Sequence, residues 1–598
     1  MKILRNRHSK SSSENSNVSV HTFFSMQYRI IKELFNEYKL RTIGIVLISV
    51  ILTVASYVSL KFLESMTNGA TIFLSGPNDD YFVQLINIAT TFLAIQFVLL
   101  ILSNLNNIII KKYNNDISAS VDKKLAKKLS DIPYDYYESY FFYEKINLAQ
   151  QASSQYPNAV FGLIQLFTII SSLIMYCYIL SQTNLWFILL VSLAIIVCVI
   201  SSVKITERQM DFWRDRVSPE TRKNMYFKAI YGNRVHHNTI QTNRCFSFFG
   251  RKYGEFNRKE RTNYVKLNIF SLYTDLFISL LFIITFFITL VYIAKQVANG
   301  ITTIGYFTMT MAMLFNLYSS IKRFAQFMLN QNWYIRVLSA YYEVMRFPDT
   351  ETKTSNQPCN NGELKIDNLF YKYPHAENYA LKGINEKYTV GEKVAIVGKN
   401  GGGKTTYISV ILDLLKSHEG EISRKNIVSS AILQDFCQYQ MSVKENIEIG
   451  CGGKQLPEEK INEILRKIEL YDFIKDKPDG IYTKLGQLES GVELSKGQWQ
   501  RLAIGRLLAN EEANIWILDE PTAYLDPIAE IEMYKFIFDM AEDKLVFFVS
   551  HRLGFAQNAD RIIVVDAGII VEEGTHDELM KKRGIYWEMF ESQRKWYE

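Results

Sequence analysis

The sequence predicts an α-helical membrane domain with six spans, followed by an α/β domain built around a phosphate-binding loop. Three observations predict it. Six apolar stretches of membrane-crossing length all fall before about Gln326. From Glu363 onward, short apolar strands alternate with turns and helical runs. One of those turns reads GKNGGGKTT, at Gly398–Thr406. A mean hydropathy near zero averages two contrasting parts.

The candidate spans are Thr42–Leu63, Phe82–Ile110, Val160–Leu180, Leu185–Val203, Ile269–Ala294 and Ile304–Ile321. Each approaches the ~20 residues that carry a helix across a bilayer. Asn104, Asn106 and Asn107 interrupt the second, so its cytoplasmic end is expected to emerge into water there. An even number of spans puts both termini on one side. Met1–Arg41, Lys111–Pro157 and Lys204–Lys266 are rich in Lys and Arg, whereas the intervening short loops hold Lys295 alone. By the positive-inside rule, the termini and long loops are cytoplasmic. The net charge of +6 is explained by anionic headgroups of membrane lipid, and no nucleic-acid partner is expected.

The first 41 residues read as a cytoplasmic segment with a polar, Ser-rich start. They contain no apolar core of a cleavable signal, so the first span is expected to be retained. The transmembrane domain covers residues 42–326, with long loops after the second and fourth spans. Span ends and loops are expected to form helices reaching well beyond the membrane. The aromatic turns Tyr136–Gln150 and Lys223–Tyr231 suggest surfaces that dock on a partner domain. A polar linker, 347–362, precedes the domain at 363–598, a length of roughly 230 residues that suits one unit. Cys177, Cys198, Cys245, Cys359, Cys437 and Cys451 form no C-x-x-C pair and read as reduced.

The loop fits G-x-x-x-x-G-K-[ST], with Gly398, Gly403, Lys404 and Thr405 in register. A strand is expected at Val394–Val397 and a helical run at Tyr407–Leu415. Across Gly398, Lys399, Asn400, Gly401, Gly402 and Gly403, backbone N–H groups can turn toward phosphate oxygens, and the following helix adds its positive end. Lys404 can reach the β/γ-phosphates, the Thr405 hydroxyl can ligate Mg²⁺, and Thr406 completes the cradle. Ile515–Glu520 (IWILDE) is an apolar strand ending in two acids. Adjacent carboxylates there suit a cation, with Asp519 on Mg²⁺ and Glu520 beside an attacking water. LSKGQWQR at Leu494–Arg501 precedes the helical run Leu502–Leu508. Its residues alone leave a second phosphate site and an ordinary helix cap equally open.

The order GKNGGGKT, Gln434 after a strand, LSKGQ, ILDEP, AYLD and VSH resembles an ATP-binding-cassette transporter. With six spans ahead of the cassette, it resembles an exporter half-transporter. The resemblance implies an ABC exporter fold in the cell's cytoplasmic membrane, ATP hydrolysis coupled to transport, and two cassettes enclosing two ATP molecules head to tail. Tyr373 would stack on adenine. Gln434 would sense Mg²⁺ and the γ-phosphate and contact the membrane-domain turns. Glu520 would activate water, Asp526 would be the D-loop acid, and His551 would hold the γ-phosphate end. Ser495, Gly497 and Gln498 would complete the partner's ATP site. Gly402 and Thr405 stand where Ser is usual, and Lys496 where the signature has Gly. A homodimer is favoured because Ser495, Gly497 and Gln498 are retained. A heterodimer is the alternative, because the altered signature accompanies an intact Glu520.

Leu433–Ile447, the LSKGQ segment and LDEPTAYLDPIAE are similar to exporters of lantibiotics and related ribosomally made peptides. Peptide export is the reading they imply, with multidrug or lipid export as the alternative, and an ATP-gated channel or sensor as the minor one. The residues before the first span are too few for a leader-trimming protease domain, so a separate protein is expected to remove any leader. Gln96 and Thr285 are expected to serve interhelical packing, with lining of the cavity as the alternative. A channel would need a charged pathway, and Asp275 is the main charge in the spans; a place near the cytoplasmic end, paired with Lys322 or Arg323, is equally open.

Overall fold

The computed structural model describes residues 20–76, 79–181, 197, 212, 218–349, 362–373, 376–416, 418–425, 427–521, 527–549 and 553–595. The fourth expected span apart from Val197, linker residues 350–361, Asp526 and His551 lie outside the described residues. Two compact units emerge: Met1–Ser130 with Glu144–Phe347, and Asp131–Tyr143 with Pro348–Glu598.

In the first unit the described elements are helices: α1 (Val20–Ser75), α2 (Asp79–Asp131), α3 (Tyr140–Ala149, entering from the second unit), α4 (Ala152–Ser181), α5 (Ser218–Gly232), α6 (Arg234–Thr242), α7 (Phe246–Ala298) and α8 (Ile304–Met345). At 1.5 Å per residue, α2 and α7 are each ~80 Å long against a hydrocarbon core of ~30 Å. They therefore extend far past any bilayer, as the sequence predicts. Among the described residues, Asn36–Ser75, Asp79–Asp131 and Asp275–Ala298 are long and apolar enough to cross a membrane. The third and sixth expected spans lie within α4 and α8. The asparagines of the second span do not break the helix: α2 runs through them, and Asn106 is buried. Hydropathy falls there while the i→i−4 ladder continues. Leu93, Phe97 and Phe287 are exposed, as side chains facing lipid would be.

Polar contacts hold these helices together. Gly305 N donates to Asn68 Oδ1 (2.9 Å), and Thr308 Oγ1 meets Thr67 Oγ1 (3.2 Å). A Cβ on Gly305 would sit 2.3 Å from the Glu64 carbonyl oxygen, so α1 and α8 approach as only glycine permits. Gln96 reaches Ser59 across α1 and α2. Thr285 is buried, and its hydroxyl donates within its own helix, to Leu281 O. Arg323 donates to Ser320 (3.0 Å) within α8.

The second unit carries β1 (Glu363–Tyr371), β2 (Leu381–Thr389), β3 (Lys393–Val397), β4 (Glu419–Lys425), β5 (Ser429–Ile432), β6 (Ile515–Asp519), β7 (Leu545–Val549), β8 (Arg561–Asp566) and β9 (Ile569–Gly574). An antiparallel sheet of order β2-β1-β4 packs against a sheet of order β5-β6-β7-β3-β8-β9, parallel except for β9. Every residue of β6 and β7 is buried, the signature of parallel strands covered on both faces. Tyr388, Tyr407, Ile396 and Phe547 fill the core shared with the smaller sheet. Helices α9 (Lys404–Ile411), α10 (Val443–Glu448), α11 (Glu458–Lys467), α12 (Tyr471–Lys475), α13 (Lys496–Ala509) and α14 (Pro527–Met540) complete the parts discussed below. Helix α9 starts at Lys404, three residues before the expected Tyr407, because Gly403 with φ 110° serves as its N-cap.

The turn Asp131–Tyr143 packs with this second unit. Asp135 is 7% exposed, and both its carboxylate oxygens accept the Lys416 N–H, at 3.1 and 2.9 Å. Lys416 follows α9 by one turn and adjoins Leu415, which is fully in the core.

Candidate active site

Strand β3 lies between β7 and β8, so its C-terminal end opens at the middle of the parallel sheet, where ligands of such sheets bind. The phosphate loop leaves it there. Gly398 has φ 145°, and a Cβ would lie 2.0 Å from the Val565 carbonyl oxygen. Gly402 faces the same oxygen, and its own carbonyl accepts the Gly568 N–H at 2.9 Å. The loop is therefore pinned to the β8–β9 turn, and two of its glycines answer a steric demand. Lys404 Nζ folds back to donate to Gly398 O (2.8 Å) and Lys399 O (3.0 Å). Burial pulls this ammonium below its usual pKa, against the opposing pull of Glu520 and Asp519.

A cleft of about 580 Å³ opens above the loop. Asn400, Gly401 and Gly403–Thr406 form its floor, and Gln434, Asp519 and Glu520 one wall. Asp519 is 2% exposed at the end of β6. Glu520, one residue past the strand, adopts φ 52° and donates its N–H to Val549 O (3.1 Å). That left-handed turn aims the next carboxylate away from the strand line. Gln434 Nε2 donates to Glu520 Oε2 at 3.1 Å, so two residues 86 apart in sequence meet. Tyr373 lines the far end, with its hydroxyl 3.0 Å from Thr406 Oγ1 and its ring packed T-shaped on Tyr371 (5.1 Å).

Ser495, Gly497 and Gln498 are absent from the lining of this cleft. They start α13 with a capping box: Ser495 Oγ accepts the Gln498 N–H (3.2 Å), and Gln498 Oε1 accepts the Ser495 N–H (2.9 Å). Within this chain the cap is what the segment does, and the helix start is exposed at Ser495 and Lys496. Leu494 and Trp499 anchor it from below.

Sequence reasoning missed Tyr379, Lys382, Ala567 and Gly568, which also line the cleft. Ala567 (φ 47°) and Gly568 (φ 85°) form the turn between β8 and β9, and the Asp-Ala-Gly there was a readable hairpin signal. Nothing local marks Tyr379 and Lys382, which reach the loop only because β2 crosses beside it.

The ABC transporter family model matches residues 381–523, which include the loop, Gln434, the capping box and both acids. The nisin transport ATP-binding protein of Lactococcus lactis subsp. lactis is 30% identical over 544 residues, covering 85% of this chain and 88% of that protein. The chain belongs to the ABC transporter family. It is an exporter half-transporter, an ATP hydrolase whose hydrolysis is coupled to transport. The subtilin transport ATP-binding protein of Bacillus subtilis is 28% identical over 531 residues, 85% of each chain. An ATP-dependent lipid A-core flippase of Bordetella avium is 30% identical over 313 residues, 50% of this transporter and 52% of the flippase. A bacterial Atm1-family ABC exporter solved with ATP bound superposes with a TM-score of 0.80 at 19% identity, covering 94% of this transporter and 99% of that chain. That likeness establishes the fold.

Proposed function

We propose that this half-transporter pairs with a second subunit in the cytoplasmic membrane and exports a ribosomally made, lantibiotic-like peptide. One observation carries the cargo: the relatives named for nisin and subtilin transport align over 85% of the chain, whereas the lipid A-core flippase aligns over half. The Lys/Arg-rich long loops support cytoplasmic termini.

In the ATP site, the backbone of Gly398–Gly403 cradles the phosphates, Lys404 exchanges its carbonyl partners for them, and Tyr373 meets the base. Thr405, Gln434 and Asp519 offer hydroxyl, amide and carboxylate oxygens in one cleft, a donor set that fits Mg²⁺ with phosphate and water completing six positions. When bound, Mg²⁺ would neutralise charge on the phosphate oxygens. Glu520, held by Gln434, orients the attacking water and takes its proton. His551 serves the γ-phosphate end, and Asp526 the subunit contact. The exposed start of α13 with Ser495, Gly497 and Gln498 faces the ATP of the second subunit. A homodimer accommodates this.

The test is uptake of a fluorescent precursor peptide into inside-out vesicles containing the transporter. ATP-dependent accumulation that Glu520→Gln abolishes is expected. Lipid flipping without peptide uptake would instead favour the flippase reading, and ATP turnover without flux of either would favour a sensor.

A further inference from the structure

Besides Tyr373, a second tyrosine lines the cleft. Tyr379 precedes a segment whose backbone is bonded to β1 and to the β8–β9 turn and passes close to the phosphate loop. Ala380 N donates to Tyr371 O (2.8 Å), and Lys382 N donates to Gly568 O (2.8 Å). The Ala380 carbonyl oxygen is also 3.0 Å from where a Cβ on Gly403 would lie. The Tyr379 side chain is fixed at its edge and tip. It packs T-shaped on Phe370 (centroids 5.6 Å apart, 72° between planes), and its hydroxyl donates to Glu419 Oε1 at 3.1 Å. The Lys372 ammonium lies 5.9 Å from the ring centre. Despite these ties Tyr379 is 38% exposed and lines the cleft. A large apolar surface held still and left uncovered in a cleft floored by asparagine, glycine, lysine and threonine is what a flat aromatic ligand covers.

We infer that Tyr379 is a second aromatic wall for the nucleobase, so that the base rests on two tyrosines. The inference rests on the ATP site proposed above and extends it to the residue that binds the base. It also sets the substrate class. Stacking on an aromatic face accepts any base, because every base presents a π-face. Of the other residues at this end, Lys382 already spends its ammonium on Ala567 O (3.0 Å). The site is therefore one for nucleoside triphosphates broadly, with little selection of adenine over guanine.

The competing role for Tyr379 is to tie β1 to β4 through Phe370 and Glu419. Binding of ATP, GTP and inorganic tripolyphosphate to the full-length transporter in nanodiscs separates the two, using wild type, Tyr379→Ala and Tyr379→Phe. Tyr379→Ala should weaken ATP and GTP each by about tenfold, the lower part of the range for one stacked base. Tripolyphosphate has no base, and its affinity should stay within about twofold. Tyr379→Phe keeps the ring and loses only the tie to Glu419, so all three ligands should bind as to wild type. Unchanged ATP affinity in Tyr379→Ala would overturn the inference, as would equal loss of ATP and tripolyphosphate, or a Phe variant as damaged as Ala. A wild-type chain that binds tripolyphosphate no better than Lys404→Ala would overturn the nucleotide-site assignment itself, and the inference with it.

Discussion

Removing the Asp135 carboxylate tests how the turn Asp131–Tyr143 is held against the second unit. Asp135→Ala strips both acceptors from the Lys416 N–H while leaving the backbone of the turn intact. A hydrogen bond to a charged group contributes ~1.5–3 kcal/mol, and a lost partner leaves the donor's desolvation uncompensated. Asp135 is buried, but the Lys416 side chain is 29% exposed, so water can reach the vacated N–H in part. A loss of about 2 kcal/mol follows, or roughly a 30-fold shift in the ratio of docked to undocked turn. Hydrogen exchange at the Lys416 amide reads this directly and should accelerate by about that factor in the intact transporter. The turn leads from α2 into α3, while the cleft residues are untouched. ATP turnover should therefore persist while peptide flux per ATP falls. Asp135→Asn keeps one acceptor oxygen and should lie between. Unchanged Lys416 protection together with unchanged flux per ATP would refute the reasoning.

Three further outcomes are expected. Glu520→Gln should lower ATP turnover by at least ~100-fold while nucleotide binding survives, checked by phosphate release and equilibrium binding on the same preparation. Gly398→Ala should cost more than about 2 kcal/mol and abolish ATP binding, because its Cβ would overlap the Val565 carbonyl. Gly401→Ala meets nothing within 4 Å and should cost only the ~1 kcal/mol of a left-handed residue, a contrast that thermal melts resolve. Burial pushes the Glu386 carboxyl up to about 7, against the opposing charge of Arg561. A raised carboxyl favours the protonated folded state, so this contribution is full below about pH 4.5 and lost as pH rises through 7. The amplitude is at most roughly 3 kcal/mol, and Glu386→Gln should flatten that part of the stability–pH curve.

Most of the architecture was legible because it depends on local pattern. Long apolar stretches can be satisfied only as helices, and α1, α2, α4, α7 and α8 lie where those stretches are. The strand–loop–helix around Gly398–Thr406 was readable because glycine spacing is itself the geometry of the loop. What stayed hidden depends on distant segments meeting. Asn104, Asn106 and Asn107 marked where the second span should meet water, but composition alone could not show that one helix runs unbroken through them. Ser495 remained ambiguous because the same N–H groups serve a cap or an anion. By itself, the sequence determined the apolar helices that the structure describes, the phosphate loop and the acids after β6, since each is a short-range consequence of residue type. Only the tertiary structure decided that Gln434 meets Glu520, that Asp135 holds Lys416, and that Tyr379 shares the cleft with Tyr373. Those pairings follow from the order of strands in the sheets and from chain crossings, which no local period encodes.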